Sequence, residues 1–186
     1  MRMRTLSFVP LVLAAGGAAA EDVKSVYTST APADCRQVRA GTAFSTQRCS
    51  GPGGIEVLIE EGDLRFSVSY GPQAKDQPAA RQGFLPLQNI GDKIEWRLGA
   101  DGKPFATILR WRMGFDSPAD RREILVVTRL PPGPVCWVAL VDARANKEPN
   151  ALARKIADER ARGFDCNAGP GFVGETTPGI EELVNR

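Results

Sequence analysis

The chain has 186 residues, 24 Lys and Arg against 22 Asp and Glu, and no histidine. The missing histidine excludes Ser-His-Asp and Cys-His catalysis by the usual route, and histidine-ligated metal sites. The near-balanced charge lacks the basic excess of a nucleic-acid binder, so no nucleic-acid partner is expected.

Arg2 and Arg4 form a positive n-region, Leu6 to Gly16 a short apolar run, and Ala18-Ala19-Ala20 a small-residue cleavage site. That is the layout of a secretory signal peptide over residues 1–20. The run is about half the roughly twenty residues needed to cross a bilayer. Val135 to Val141 is too short to span, and Ile124 to Leu130 carries Thr128 and Arg129. The expectation is a soluble periplasmic or secreted protein with no membrane span in its mature chain. Cleavage leaves 166 residues with 22 bases and 22 acids. That length predicts one domain, residues 21–166, followed by a Gly/Pro-rich tail at 167–186 containing a short helix from Thr177-Pro178 through Val184.

Val23 to Thr28 and Ala43 to Cys49 are the weaker strand candidates. Ile55 to Glu60 and Leu64 to Tyr70 alternate apolar and polar residues, with Glu61-Gly62-Asp63 between them. Residues 71–92 are irregular, with a short helix near Asp76 to Gln82. Ile94, Trp96 and Leu98 alternate with Lys93, Glu95 and Arg97, the pattern of a half-buried strand with one wet face. Asp101-Gly102 suits a hairpin turn into Phe105–Met113. There Phe105, Thr107, Leu109, Trp111 and Met113 share a face opposite Arg110 and Arg112. Glu123 to Leu130 and Val135 to Val141 are apolar on both faces and are joined by Pro131-Pro132-Gly133-Pro134. One helix is predicted from Pro149 to Arg162, with Leu152, Ala153, Ile156 and Ala157 as its apolar stripe and Gly163 as its stop. Within it, Asp158 and Arg162 form an i,i+4 pair. A run of strands followed by one helix predicts an α+β fold: an antiparallel sheet of six to eight strands with the C-terminal helix packed on it.

Four cysteines in an exported chain predict disulfides. Of the three pairings, Cys35 with Cys49 and Cys136 with Cys166 are favoured: the first closes a short hairpin-like loop, the second ties a strand to the segment after the helix. A four-cysteine zinc site is disfavoured because no close C-x-x-C pair is present. No cofactor or metal is expected.

Gly169-Pro170-Gly171-Phe172-Val173-Gly174 matches G-x-G-x-x-G, but Cys166 just before it and Pro170 inside it favour a plain loop. Glu56, Glu60, Glu61 and Asp63 cluster near one hairpin end, where solvated strand ends are far commoner than paired catalytic carboxylates. Trp96 and Trp111 face the core in this pattern. Their neighbours Glu95, Arg97, Arg110 and Arg112 are the candidate binding face, since arginine contacts carboxylates bidentately and stacks on rings. Asp142 ends a buried strand and Arg160 falls within the helix stripe; one or both are expected to make buried polar contacts that fix the helix. No catalytic residue is assigned.

Trp96-Arg97, Pro104-Phe105-Ala106-Thr107-Ile108-Leu109-Arg110-Trp111, Cys136-Trp137-Val138-Ala139-Leu140-Val141-Asp142-Ala143 and Asn150 to Asp158 together resemble a family of uncharacterised exported proteins of alphaproteobacteria. The resemblance spans most of the mature chain. It implies an exported location and paired cysteines, and no activity.

The functional expectation is an exported binding or interaction protein of the cell envelope, its partner an envelope protein or a cell-wall fragment. An enzyme using carboxylates or a metal, and a structural subunit of an envelope complex, are the alternatives. Nothing in the residues favours catalysis.

Overall fold

The computed structural model describes residues 22–114 and 120–185. The expected signal peptide lies outside the described residues. In chain order the strands are β1 Lys24–Ser29, β2 Arg36–Ala40, β3 Phe44–Ser50, β4 Glu56–Gly62, β5 Arg65–Tyr70, β6 Gly83–Phe84, β7 Gln88–Leu98, β8 Pro104–Met113, β9 Arg122–Arg129 and β10 Cys136–Asp142. Helix α1, Pro149–Arg160, follows, and then the short strands β11 Gly171–Phe172 and β12 Val184–Asn185.

These elements make the predicted α+β fold, with the strands divided between two larger sheets. One is six-stranded, ordered β1-β7-β8-β9-β10-β11, and antiparallel except where β11 runs alongside β10. The other is a four-stranded antiparallel meander, β2-β3-β4-β5. A two-residue pairing of β6 with β12 completes the set.

Two separate cores explain the sequence pattern. On one face of the six-stranded sheet, Ile94, Trp96, Leu109, Trp111 and Trp137 meet Val57, Ile59, Val68 and Tyr70 of the meander. Trp111 and Trp137 are edge-to-face at 5.6 Å, and Tyr70 meets Trp96 edge-on at 5.6 Å. Burial of Tyr70 pushes its phenol pKa well up. On the opposite face, Ala106, Ile108, Leu125, Val127 and Val141 pack under Ala153, Ile156 and Ala157 of α1. Strands covered on both faces read as continuous apolar runs, which is why β9 and β10 show no alternation.

Three local expectations are corrected. Phe105 leaves the face it was assigned and joins the helix-side core; the pairing register of β7 with β8 shifts between Arg97 and Leu98, where Phe105 sits. Asp158 pairs with Arg97 across elements, and Arg162, past the end of α1 at Arg160, stands over the Phe105 ring. The position after Ala157 on the buried stripe goes to Ala161, leaving Arg160 exposed.

The segment 167–186 is integrated with the body. β11 lies on the edge of β10, Val173 N–H donates to Leu140 O at 2.9 Å, and Ile180 is buried in the inter-sheet core. The short helix expected there is a 3₁₀ turn, Ile180–Leu183.

The disulfides are Cys35–Cys49 and Cys136–Cys166. The first ties the start of β2 to β3; the second ties the start of β10 to the segment after α1. No helix among the described residues is long and apolar enough to cross a membrane.

Candidate functional site

The four residues expected to form an outward binding face do not form one. Glu95 and Arg97 lie on the helix-facing side of β7, each 7% exposed. Arg97 grips Asp158 with two bonds, Nε to Oδ1 at 2.8 Å and Nη2 to Oδ2 at 2.6 Å. Glu95 receives Arg154 Nε at 2.6 Å and Nη2 at 3.2 Å. That bonding holds the Arg154 guanidinium above its ordinary pKa. From β1, Ser25 Oγ donates to Glu95 and accepts from Arg97 Nη1. Arg110 is half-buried and pairs with Glu123 at 2.7 Å. Arg112 sits beside them on the same strand face, half-buried. The wet-looking face is therefore a charge lattice beneath α1, because alternating opposite charges on strand and helix neutralise one another when the helix docks.

Asp142 is fully buried and Arg160 exposed, so only the first makes a buried polar contact. The Asp142 carboxylate accepts from Thr177 N–H at 2.8 Å, Thr177 Oγ1 at 2.6 Å, Arg144 N–H at 3.0 Å and Ala145 N–H at 3.2 Å. Burial alone would raise its pKa, but the Thr177 hydroxyl and the backbone donors outweigh it and hold the carboxyl below its usual value. It fixes the turn into α1 and the C-terminal segment, not the helix itself.

Of the acidic cluster, Glu56 is paired with Arg48, and Glu61 accepts the Leu64 N–H at 2.8 Å. Gly169-Pro170 leads into the edge strand β11.

Arginine-on-aromatic chemistry is found at a different place. A cavity of about 590 Å³ opens where the β7–β8 turn, the β9–β10 turn and the end of α1 converge. The ladder builds it: Arg129 pairs with Ala106, and Leu130 N–H donates to Phe105 O at 3.0 Å. The apolar lining is Phe105, Leu130, Pro131 and Pro132, and the Arg162 guanidinium lies 3.7 Å above the Phe105 ring centre. Lys103 and Arg129 add two more cations; the one acid is Asp101, 3.7 Å from Lys103.

Arg129 is locked in place. Nη1 donates to Phe164 O at 2.7 Å and Nη2 to Pro132 O at 3.0 Å. Gly133, at φ 88°, makes room for it: a Cβ there would stand 2.8 Å from Arg129 Nη2. Its third donor, Nε, is buried with no hydrogen-bond partner among the described residues. A buried N–H without an acceptor costs about 1–3 kcal/mol. The cavity is within the usual size range of small-ligand sites, and its polar groups are a donor set suited to holding an anion over an apolar floor.

Local spacing does not reveal this site, because Phe105, Arg129 and Arg162 are 24 to 57 residues apart. Its available signal was the Arg129-Leu130-Pro131-Pro132 string, which places a cation beside a rigid apolar turn. No family model, curated protein or solved structure matches this chain.

Proposed function

We propose that this is an exported binding protein of the cell envelope that holds a partly apolar, carboxylate-bearing ligand in the Phe105–Arg129–Arg162 cavity. Export is supported by the signal-peptide layout and by two disulfides, which persist in oxidising compartments. The cavity carries the ligand reading: three cations against one acid surround an apolar floor. A peptide C-terminus, whether from an envelope protein or a cell-wall fragment, has the required pairing of carboxylate and side chain.

The test is calorimetry of the disulfide-intact protein with N-acetylated dipeptides bearing an apolar last residue, each as free acid and as C-terminal amide. The free acids bind and the amides lose about tenfold or more, the worth of one charge-assisted bond. Lys103→Gln and Arg162→Gln weaken the acids by a similar factor. Equal affinity for acid and amide, or affinity untouched by either substitution, would refute the proposal.

A further inference from the structure

A second cavity, of about 560 Å³, lies between the tip of the β2–β3 hairpin, the tip of the β4–β5 hairpin and the first half of β7. Its polarity is the reverse of the first. Glu61, Asp63 and Asp92 line it, and no Lys or Arg does. Gln47 also lines it, and its Oε1 is a buried acceptor with no partner among the described residues. Asp63 already pairs with Arg65 at 3.2 Å, and Glu61 accepts from Leu64 N–H and Ser45 Oγ; the three carboxylates together still form an acceptor set, complementary to an ammonium or guanidinium group.

The rim is apolar and preorganised. Leu64 occupies a left-handed backbone conformation, φ 57°, directly after Asp63 at φ 52°. Glycine and asparagine serve that conformation in two-residue hairpin turns, whereas leucine is strained in it. The side chain gains little burial in exchange, being 55% exposed. The turn is nonetheless held on three sides: Asp63 N–H donates to Ala43 O at 3.0 Å, Leu64 N–H to Glu61 Oε1 at 2.8 Å, and Gln88 N–H to Leu64 O at 2.9 Å. Across the mouth stands Phe44, 43% exposed. Its ring lies where a Cβ of Gly41 would be, 2.4 Å from that position, with Arg39 above it at 5.2 Å. Strain at a rigid, exposed apolar residue beside a cavity is the pattern of a contact surface, not of a spare loop.

We infer that this cleft docks a peptide segment of a protein partner, with an arginine or lysine side chain in the acidic cavity and its apolar neighbours against Leu64 and Phe44. Charge complementarity selects the basic residue; the strained leucine and the exposed ring select a peptide over a bare cation. The site is separate from the carboxylate cavity, so either stands or falls alone.

The experiment is a ¹⁵N-HSQC titration of the disulfide-intact protein with the blocked peptide acetyl-Leu-Arg-Leu-amide, beside acetyl-Leu-Gln-Leu-amide and agmatine. The arginine peptide shifts resonances within 41–47, 61–66 and 89–92, and the glutamine peptide binds about tenfold more weakly or worse. Asp92→Asn, at an exposed side chain, weakens the arginine peptide by about tenfold. Leu64→Gly weakens it as well while leaving the melting temperature unchanged or higher, because glycine relieves the left-handed strain. A merely structural Leu64 would not uncouple binding from stability in that way. No shifts in these segments at millimolar peptide, equal shifts from the glutamine peptide, or affinity unchanged in both variants would overturn the assignment. Agmatine binding as tightly as the peptide would overturn it too, in favour of a small-amine site.

Discussion

Arg97 on β7 and Asp158 on α1 face each other through a two-bond ion pair, at 2.8 and 2.6 Å, with the Arg97 side chain 8% exposed and that of Asp158 30%. Beside it, Arg154 reaches Glu95. The match follows from two repeats. Residues i and i+4 of a helix rise about 6 Å, and residues i and i+2 of a strand about 6.7 Å. Glu95 and Arg97 thus meet Arg154 and Asp158 in order, with opposite signs at each step.

Removing one partner of that pair strands the other. Asp158→Ala is expected to lower the unfolding free energy by about 3 kcal/mol, at the lower end for a buried pair because Asp158 is partly solvated. Adding Arg97→Met to Asp158→Ala recovers most of the loss, since an apolar side chain of similar length fits under the helix without a charge to solvate. Urea denaturation of both variants checks this; a double variant no more stable than Asp158→Ala would contradict it.

Asp142 predicts the acid limb of stability. Its folded pKa lies below the unfolded value, so its contribution is fully present above the unfolded pKa of about 4 and is lost as pH falls through the lower folded value. Asp142→Asn should cost about 2 kcal/mol at neutral pH, because an amide cannot accept all four bonds. The gap in melting temperature between wild type and variant should narrow below about pH 4. A gap constant from pH 7 into acid would show that the ionised carboxylate is not what holds Thr177.

The two disulfides should differ in worth. Their sequence separations are 14 and 30 residues, and loop-closure entropy assigns them about 3 and about 3.6 kcal/mol respectively. Replacing Cys136 and Cys166 together by Ser therefore costs slightly more than replacing Cys35 and Cys49. Guanidinium denaturation of the two paired-serine proteins reads the difference. The second bridge also anchors the segment after α1 next to Arg129, so its loss should weaken carboxylate binding, whereas loss of the first should not.

Ile156 is the helix's deepest large side chain, 2% exposed in the helix-side core. Ile156→Ala should cost about 2–4 kcal/mol through the cavity it leaves. Ile156→Asp should release α1 from the sheet, because it puts a carboxylate where an apolar side chain packs against Ala106, Ile108, Leu125 and Val127. Hydrogen exchange separates the two outcomes: protection in 149–160 falls modestly in the first and collapses in the second.

Alternation and caps made most of the scaffold legible. The strand from Arg65 to Tyr70, the Asp101-Gly102 hairpin, the inward tryptophans and the helix starting at Pro149 follow from local periodicity and backbone preferences, which a chain carries in its order of residues. The favoured cysteine pairing rests on a short hairpin-like loop for Cys35–Cys49 and on a strand tied to the segment after the helix for Cys136–Cys166. What alternation could not disclose was the destination of each face. Glu95 and Arg97 look solvated until the helix is seen to bring Arg154 and Asp158 onto them, and a charge looks the same on paper whether water or a counter-charge neutralises it. Likewise, Phe105, Arg129 and Arg162 share no local pattern; strand register and the return of the chain after α1 put them around one cavity. Local spacing encodes secondary structure because its interactions are short in sequence. The candidate sites here are built from contacts distant in sequence, so three-dimensional packing alone assembles them.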